Sequence, residues 1–175
     1  MIYLLIFCTI CCVFGLLRSL PVIVTFKKIH SKAKDPSEAY DRPACYDLYI
    51  TEDITIPSGQ WRELPTGIIF APWPHIYIKF LNLSLTPFGN VATRIHTRSS
   101  LAQRGQRAHL GIIDNDYRGE ITIIMFNHNT YPVRYHVGDK IGPVEFYKVP
   151  KVIFWQKKRL SNSRRGNRGF GSSGK

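Results

Sequence analysis

From residue 22 onward no stretch of the chain sustains a helical period, and that absence constrains the fold most. In its place stand short β-branched or alternating runs: Val22 to Phe26, His75 to Phe80, Ile121 to Phe126 and Ile141 to Val149. Turn residues separate them, at Pro57-Ser-Gly59, Pro87-Phe-Gly89, Asn127 to Thr130 and Val137-Gly-Asp139. Many short strands with frequent turns predict an all-β subunit, a jelly roll, sandwich or barrel. Pro143 interrupts the last run, which predicts an edge strand or a bulge there. Ser100 to Arg104 is the one segment expected to make a helical turn or two.

Three segments divide the chain. Residues 1–21 begin with an apolar run, 1–17, that is long for a signal-peptide core and short for a membrane span. It has no basic start and no small-residue cleavage site, and it holds Cys8, Cys11 and Cys12. Cys8 and Cys11 have redox or zinc spacing without a second pair, so they read as apolar cysteines. A membrane anchor, a removed leader and a misplaced start are the three readings of this segment. Residues 22–150 form the β domain. Residues 151–175 form a basic, Gly/Ser/Arg-rich arm.

Charge sits in that arm. The chain carries 24 Lys and Arg against 12 Asp and Glu. Nine of the bases and none of the acids lie in 148–175, so the remainder is close to neutral. Such a tail suits a polyanion, which includes nucleic acid, an anionic membrane and a polyphosphate ligand.

Three motifs bear chemistry. Arg98-Ser-Ser-Leu-Ala102 places a guanidinium beside two hydroxyls, all donors to phosphate oxygens. Gly111-Ile-Ile-Asp-Asn-Asp-Tyr-Arg-Gly119 brackets a hairpin edge. Asp114 follows Ile112 and Ile113, and this apolar setting is expected to desolvate it, as suits a general base acting on water. The plainer reading is an Asp-rich turn in which Arg118 pairs with Asp116. The third motif, Arg165 to Gly174, offers glycine backbone and arginine charge to phosphates. Phe170 sits inside it, an apolar ring that makes sense if it stacks on a flat base.

In this order the segments resemble the signature motifs of the trimeric dUTPases. Ala44-Cys-Tyr-Asp-Leu-Tyr49 resembles the first, Arg98 to Ala102 the second, Gly111 to Gly119 the third, Val137 to Ile141 the fourth and Arg165 to Gly174 the fifth. The resemblance runs from about Val24 to Lys175. It implies a jelly-roll or β-clip subunit and a homotrimer whose active sites are shared between chains. It implies hydrolysis of dUTP to dUMP and pyrophosphate with Mg²⁺, which lowers dUTP and supplies dUMP for thymidylate synthesis. Asp114 would then be the catalytic base and Tyr117 would pack under the deoxyribose. His109, Leu110, Gly111 and Ile112 would offer main-chain groups to uracil. Arg98, Ser99 and Ser100 would hold phosphate, as would Arg165, Gly169, Gly171 and Ser172, with Phe170 on the base. Asp47 resembles the acid linked to the metal through water. The basic arm then faces phosphate, so specific nucleic-acid binding is not expected. A nucleotide-pool enzyme implies cytoplasm or nucleus; a membrane is implied only through residues 1–17, whose apolar character leaves secretory targeting open as well.

The chain also departs from the family pattern. Cys45 and Ser100 stand where glycine is usual, Pro143 where Gln is common, and Arg168 at a usually small position. The stretch from Arg98 to Asp114 is about one residue short, and about fourteen extra residues lie near Pro72 to Leu85. Two alternatives follow. One is a weak or inactive protein-interaction module on this fold. The other is a deoxycytidine triphosphate deaminase, whose proton-shuttling Glu would fall at Ile124.

Overall fold

The computed structural model describes residues 22–41, 43–73, 76–78, 83–85, 90–150 and 152–168. Residues 1–21, including the apolar leader, lie outside these, as do the Pro87-Phe-Gly89 turn and Gly169 onward. All strand pairs are antiparallel. One sheet runs in the order β10 (Ile112–Ile113), β8 (Asn90–Ile95), β13 (Lys140–Val149), β2 (Tyr46–Tyr49). A second runs β4 (Trp61–Pro65), β11 (Thr122–Asn127), β9 (Gln106–Ala108). Three two-stranded ribbons complete the jelly-roll-like subunit: β1 (Ile23–Lys28) with β5 (Ile68–Trp73), β12 (Val133–Tyr135) with β3 (Ile54–Ile56), and β6 (Ile76–Ile78) with β7 (Leu83–Leu85). The single described helix, α1 (Ser99–Gln103), lies where the sequence suggests a turn or two.

Both sheets feed one core. Leu48, Ile141 and Val144 come from the first, and Leu64, Ile123 and Met125 from the second. In β11 burial alternates residue by residue, and Ile123, Met125 and Asn127 face inward. That is the period of a strand with one face covered. Asn127 is a buried polar residue whose amide nitrogen donates to the carbonyls of Ile56, Pro57 and Tyr131 and so ties the end of β3 to the loop before β12.

β13 is an interior strand, and Pro143 is accommodated there at a bulge. The register against β2 slips between Lys140 and Gly142, immediately before the proline. The Pro143 carbonyl accepts from His96 N–H just beyond the end of β8. The donor that proline lacks is therefore the one that would face His96, beyond the last residue of β8, so the loss falls at the end of the ladder and not within it. The extra residues near 72–85 supply the added ribbon β6–β7. His75, Lys79 and Phe80, at the ends of the run read as a strand, lie outside the described residues.

Candidate active site

The third motif lies on the sheet edge. Among the described residues β10 pairs only with β8, in the register Ile112 to Arg94 and Ile113 to Thr93. Asp114 follows at once and opens a turn closed by Tyr117 N–H donating to the Asp114 carbonyl, 3.2 Å. Arg118 staples the turn: its Nη1 donates to the carbonyls of Asn115 (2.6 Å) and Tyr117 (2.8 Å). The expected Arg118–Asp116 pair is replaced by these backbone contacts. Asp114 is exposed, which corrects the expectation that its apolar neighbours desolvate it. Side chains alternate on a strand, and Ile112 itself is 63% exposed on this edge, so apolar neighbours in sequence do not surround the carboxylate in space.

Asp114, Tyr117 and Glu120 line a cleft of about 250 Å³ together with Ile112, Ile113, Ile121 and Thr122. The Tyr117 phenol stands beside it and donates to the Glu120 carbonyl, 3.2 Å. Ligand pockets generally offer about 300–1,000 Å³, so the cleft of one chain is small for a whole nucleotide.

The second motif starts α1. Arg98 has extended backbone at the position before the helix and turns its guanidinium onto Asp47, Nε to Oδ1 3.2 Å. Lys140 reaches the other carboxylate oxygen, Nζ to Oδ2 2.8 Å. Asp47 is 6% exposed, so this buried acid is held by two cations. The hydrogen bond to Asp47 holds the Lys140 ammonium above its ordinary pKa, and partial desolvation opposes it. Among the described residues the Ser99 and Ser100 hydroxyls have no protein partner; Ser99 is exposed and Ser100 half-buried.

Asp47 does not fit a direct Mg²⁺ ligand, because both oxygens already carry a cation. Among the described residues no three His, Cys, Asp or Glu side chains converge as a metal cage. Mg²⁺ commonly takes one or two carboxylates, waters and substrate phosphates.

One chain does not bring Asp114 and Arg98 together. Ile113 faces Thr93, and the antiparallel register carries Asp114 away from Arg98. Five residues of extended chain from Thr93 to Arg98 span about 16 Å. The residues read as uracil-facing are partly committed. His109 N–H donates to the Ile124 carbonyl, Gly111 N–H to the His109 carbonyl and Ile95 N–H to the Gly111 carbonyl. Ile112 faces Arg94 as a non-hydrogen-bonded pair, because the ladder bond on its N-terminal side runs from Ile95 N–H to the Gly111 carbonyl, so its own N–H and C=O point to the open edge of the sheet. Among the described residues the peptide groups of Leu110 have no backbone partner, and its side chain is 62% exposed. The main-chain groups of this segment left open are therefore those of the tight turn at Leu110 and of Ile112. Ile124 presents no carboxylate, and its carbonyl holds His109.

The arm is exposed throughout 152–168. Arg165 and Arg168 bond to each other's carbonyls, 2.9 and 3.1 Å, around Gly166 at φ +57°. Gly169, Phe170, Gly171 and Ser172 lie outside the described residues.

The sequence profile of the dUTPase family matches residues 31–174. The chain belongs to the dUTPase family. It is 34% identical over 154 residues to the deoxyuridine 5′-triphosphate nucleotidohydrolase of Helicobacter hepaticus, covering 86% of this chain and 88% of the relative. The enzyme of the same name from variola virus is 32% identical over 151 residues, covering 86% and 92%. In fold it is similar to a dUTPase of Staphylococcus bacteriophage 80alpha solved with dUpNHpp, with TM-score 0.74, 18% identity, and 87% and 98% of the two chains covered. It is also similar to the dUTPase of S. aureus phage phi11, a structure concerned with coordination of a structural Mg(II) ion, with TM-score 0.67, 13% identity, and 80% and 99% covered.

Within this dUTPase-family chain two residues of the site escaped the sequence reading. Lys140 lies inside the fourth motif, yet its pairing with Asp47 spans 93 positions and follows from the β2–β13 register. Glu120 follows the third motif, and its carboxylate accepts from Gly67 N–H across 53 positions. The only local signal was a lone charge at the border of an apolar run.

Proposed function

We propose that this chain hydrolyses dUTP to dUMP and pyrophosphate, as the names of its closely similar bacterial and poxviral relatives describe for them. The observation that carries the reading is the Asp114–Tyr117 turn, which sets an exposed carboxylate and an aromatic ring on one cleft. Tyr117 lies under the deoxyribose, where a 2′-hydroxyl has no room. Asp114 takes a proton from the attacking water. The water oxygen bonds to the α-phosphorus in line, and the bond to the bridging oxygen breaks. Pyrophosphate leaves with that electron pair. Asp114 needs no burial of its own, because bound nucleotide and neighbouring chains supply the dry setting.

Mg²⁺, held by the triphosphate oxygens and water, would offset the triphosphate charge. Ser99, Ser100 and the free face of Arg98 meet phosphate oxygens, and Asp47 with Lys140 holds Arg98 in place. Arg165 and the glycine run bind the outer phosphates, with Phe170 on uracil. The register that carries Asp114 away from Arg98 supports a site assembled from several chains, and a homotrimer is the expected assembly. The bare arm supports it too: Ile153, Phe154 and Trp155 are each more than 80% exposed in a single chain. An apolar groove of about 490 Å³ between β1, Pro36, Tyr46 and Phe146 offers cover on another copy.

Asp114→Asn keeps the shape and removes the proton acceptor. It is expected to lower kcat at least about a hundredfold and leave dUTP affinity within about threefold. Near-normal turnover would overturn the role of Asp114.

A further inference from the structure

Tyr117 is half exposed on a turn, and an unsupported ring there would sample several rotamers. The structure supports it from two sides. Gly119 lies beneath the phenol: a Cβ at that position would overlap the Tyr117 Oη and Cζ and stand 3.0 Å from Cε2. Gly119 is not among the glycines with positive φ, so its backbone accepts alanine and the side-chain contact alone demands glycine. The phenol hydroxyl donates to the Glu120 carbonyl.

Glu120 is fixed in turn by the body of the protein. Its Oε1 accepts the N–H of the buried Gly67, 2.7 Å. The residues on either side of Gly67 complete the clasp. Thr66 Oγ1 donates to the Ile121 carbonyl, 2.6 Å, and Ile121 N–H to the Ile68 carbonyl, 2.8 Å. Gly67 cannot retreat, because it sits at φ +67° and its Cβ site lies within 3 Å of the Ala33 and His30 Cβ atoms. The Tyr117 ring is therefore referenced to the core through Glu120 and Gly67, not through its own turn alone.

We infer that Gly119 and Glu120 are positioning residues that hold Tyr117 as a rigid sugar platform and thereby set the discrimination of 2′-deoxy from 2′-hydroxy nucleotides. This rests on the reading of Tyr117 as the residue under the sugar. A ring seated on Gly119 leaves fixed space above it. A displaced or mobile ring lets a 2′-hydroxyl enter.

The test uses the full chain with Gly119→Ala, Glu120→Ala, Glu120→Gln and Tyr117→Ala, read in two ways. The first needs no nucleotide. In protein labelled with 3-fluorotyrosine, the Tyr117 ¹⁹F resonance is assigned by its loss in Tyr117→Phe. It is expected to shift in Gly119→Ala and Glu120→Ala and to keep its place in Glu120→Gln, whose amide oxygen still accepts from Gly67. An unmoved resonance in Gly119→Ala overturns the positioning claim whatever the activity. The second reading is the ratio of kcat/KM for dUTP to that for UTP. It is expected to fall about tenfold in Gly119→Ala and Glu120→Ala, with Glu120→Gln restoring it. A shifted resonance with an unchanged ratio overturns the selectivity role. If Tyr117→Ala leaves the ratio unchanged, the sugar-facing reading fails, while the ¹⁹F result still judges whether Gly119 and Glu120 seat the ring.

Discussion

Asp47→Ala is the perturbation whose cost the structure defines best. The carboxylate is buried and holds Arg98 Nε at 3.2 Å and Lys140 Nζ at 2.8 Å. Removing one partner of a fully buried ion pair costs about 3–5 kcal/mol; an exposed pair contributes about 0–1 kcal/mol. The Arg98 and Lys140 side chains keep 30% and 34% of their surface in water, so the released cations are partly rehydrated. The expected loss lies between those limits, about 2 kcal/mol, or about 4–8 °C in Tm for a chain of this size. Urea unfolding of Asp47→Ala, Lys140→Met and the double variant, at one protein concentration because assembly adds to stability, closes a cycle. Once Lys140 is gone, Asp47→Ala should cost about 1 kcal/mol less. The pair also predicts a pH signature. Lys140 is held above its ordinary 10.5 chiefly by its hydrogen bond to Asp47. A cation with a raised folded pKa contributes in full below its unfolded value. It loses that contribution as pH rises through the folded one. Wild type should therefore lose stability above pH 10.5 more steeply than Lys140→Met. Additive losses with no alkaline difference would refute the pairing argument.

Two further expectations concern groups away from the cleft. Asp53 lies below its ordinary pKa of 3.8 mainly because Val137 N–H donates to it, with Arg134 and His136 adding to this against some desolvation. Its contribution is present above that pH and lost as pH falls through the depressed value, so Asp53→Asn should flatten the loss of urea stability as pH falls below 3.8; an unchanged acid limb would contradict this. Tyr135 is buried, its phenol bonds Gln106, and burial pushes its pKa well above 10. Tyr135→Phe leaves the Gln106 oxygen unpaired and should cost about 1–3 kcal/mol, and a Tm equal to wild type would show that the bond carries no stability.

Much of the fold was legible because its signals are local. In β11 the β-branched run and the inward alternation coincide, and Pro57-Ser-Gly59 turns where its glycine reaches φ +66°. Of the motif residues, Arg98 meets Asp47, while the β10–β8 register carries Asp114 away from Arg98. What the sequence hid depends on register between distant strands. Lys140 finds Asp47 only because β13 lies beside β2, and Glu120 finds Gly67 only because the start of β11 is clasped to the start of β5. The burial of Asp114 was misjudged for the same reason: an apolar run on an edge strand carries no information about what covers it. Pro143 reads as a ladder breaker until the end of β8 is known.

The central claim is the reaction itself, and pyrophosphate release tests it most directly. The full chain is assayed with Mg²⁺ on dUTP, dTTP, dCTP and UTP in parallel. Release from dUTP alone is the predicted result under the proposed reading of uracil by the open main chain of Leu110 and Ile112 and of the sugar by Tyr117. Equal release from several of these nucleotides would contradict the specificity, and no release from dUTP by a folded assembly would contradict the reaction.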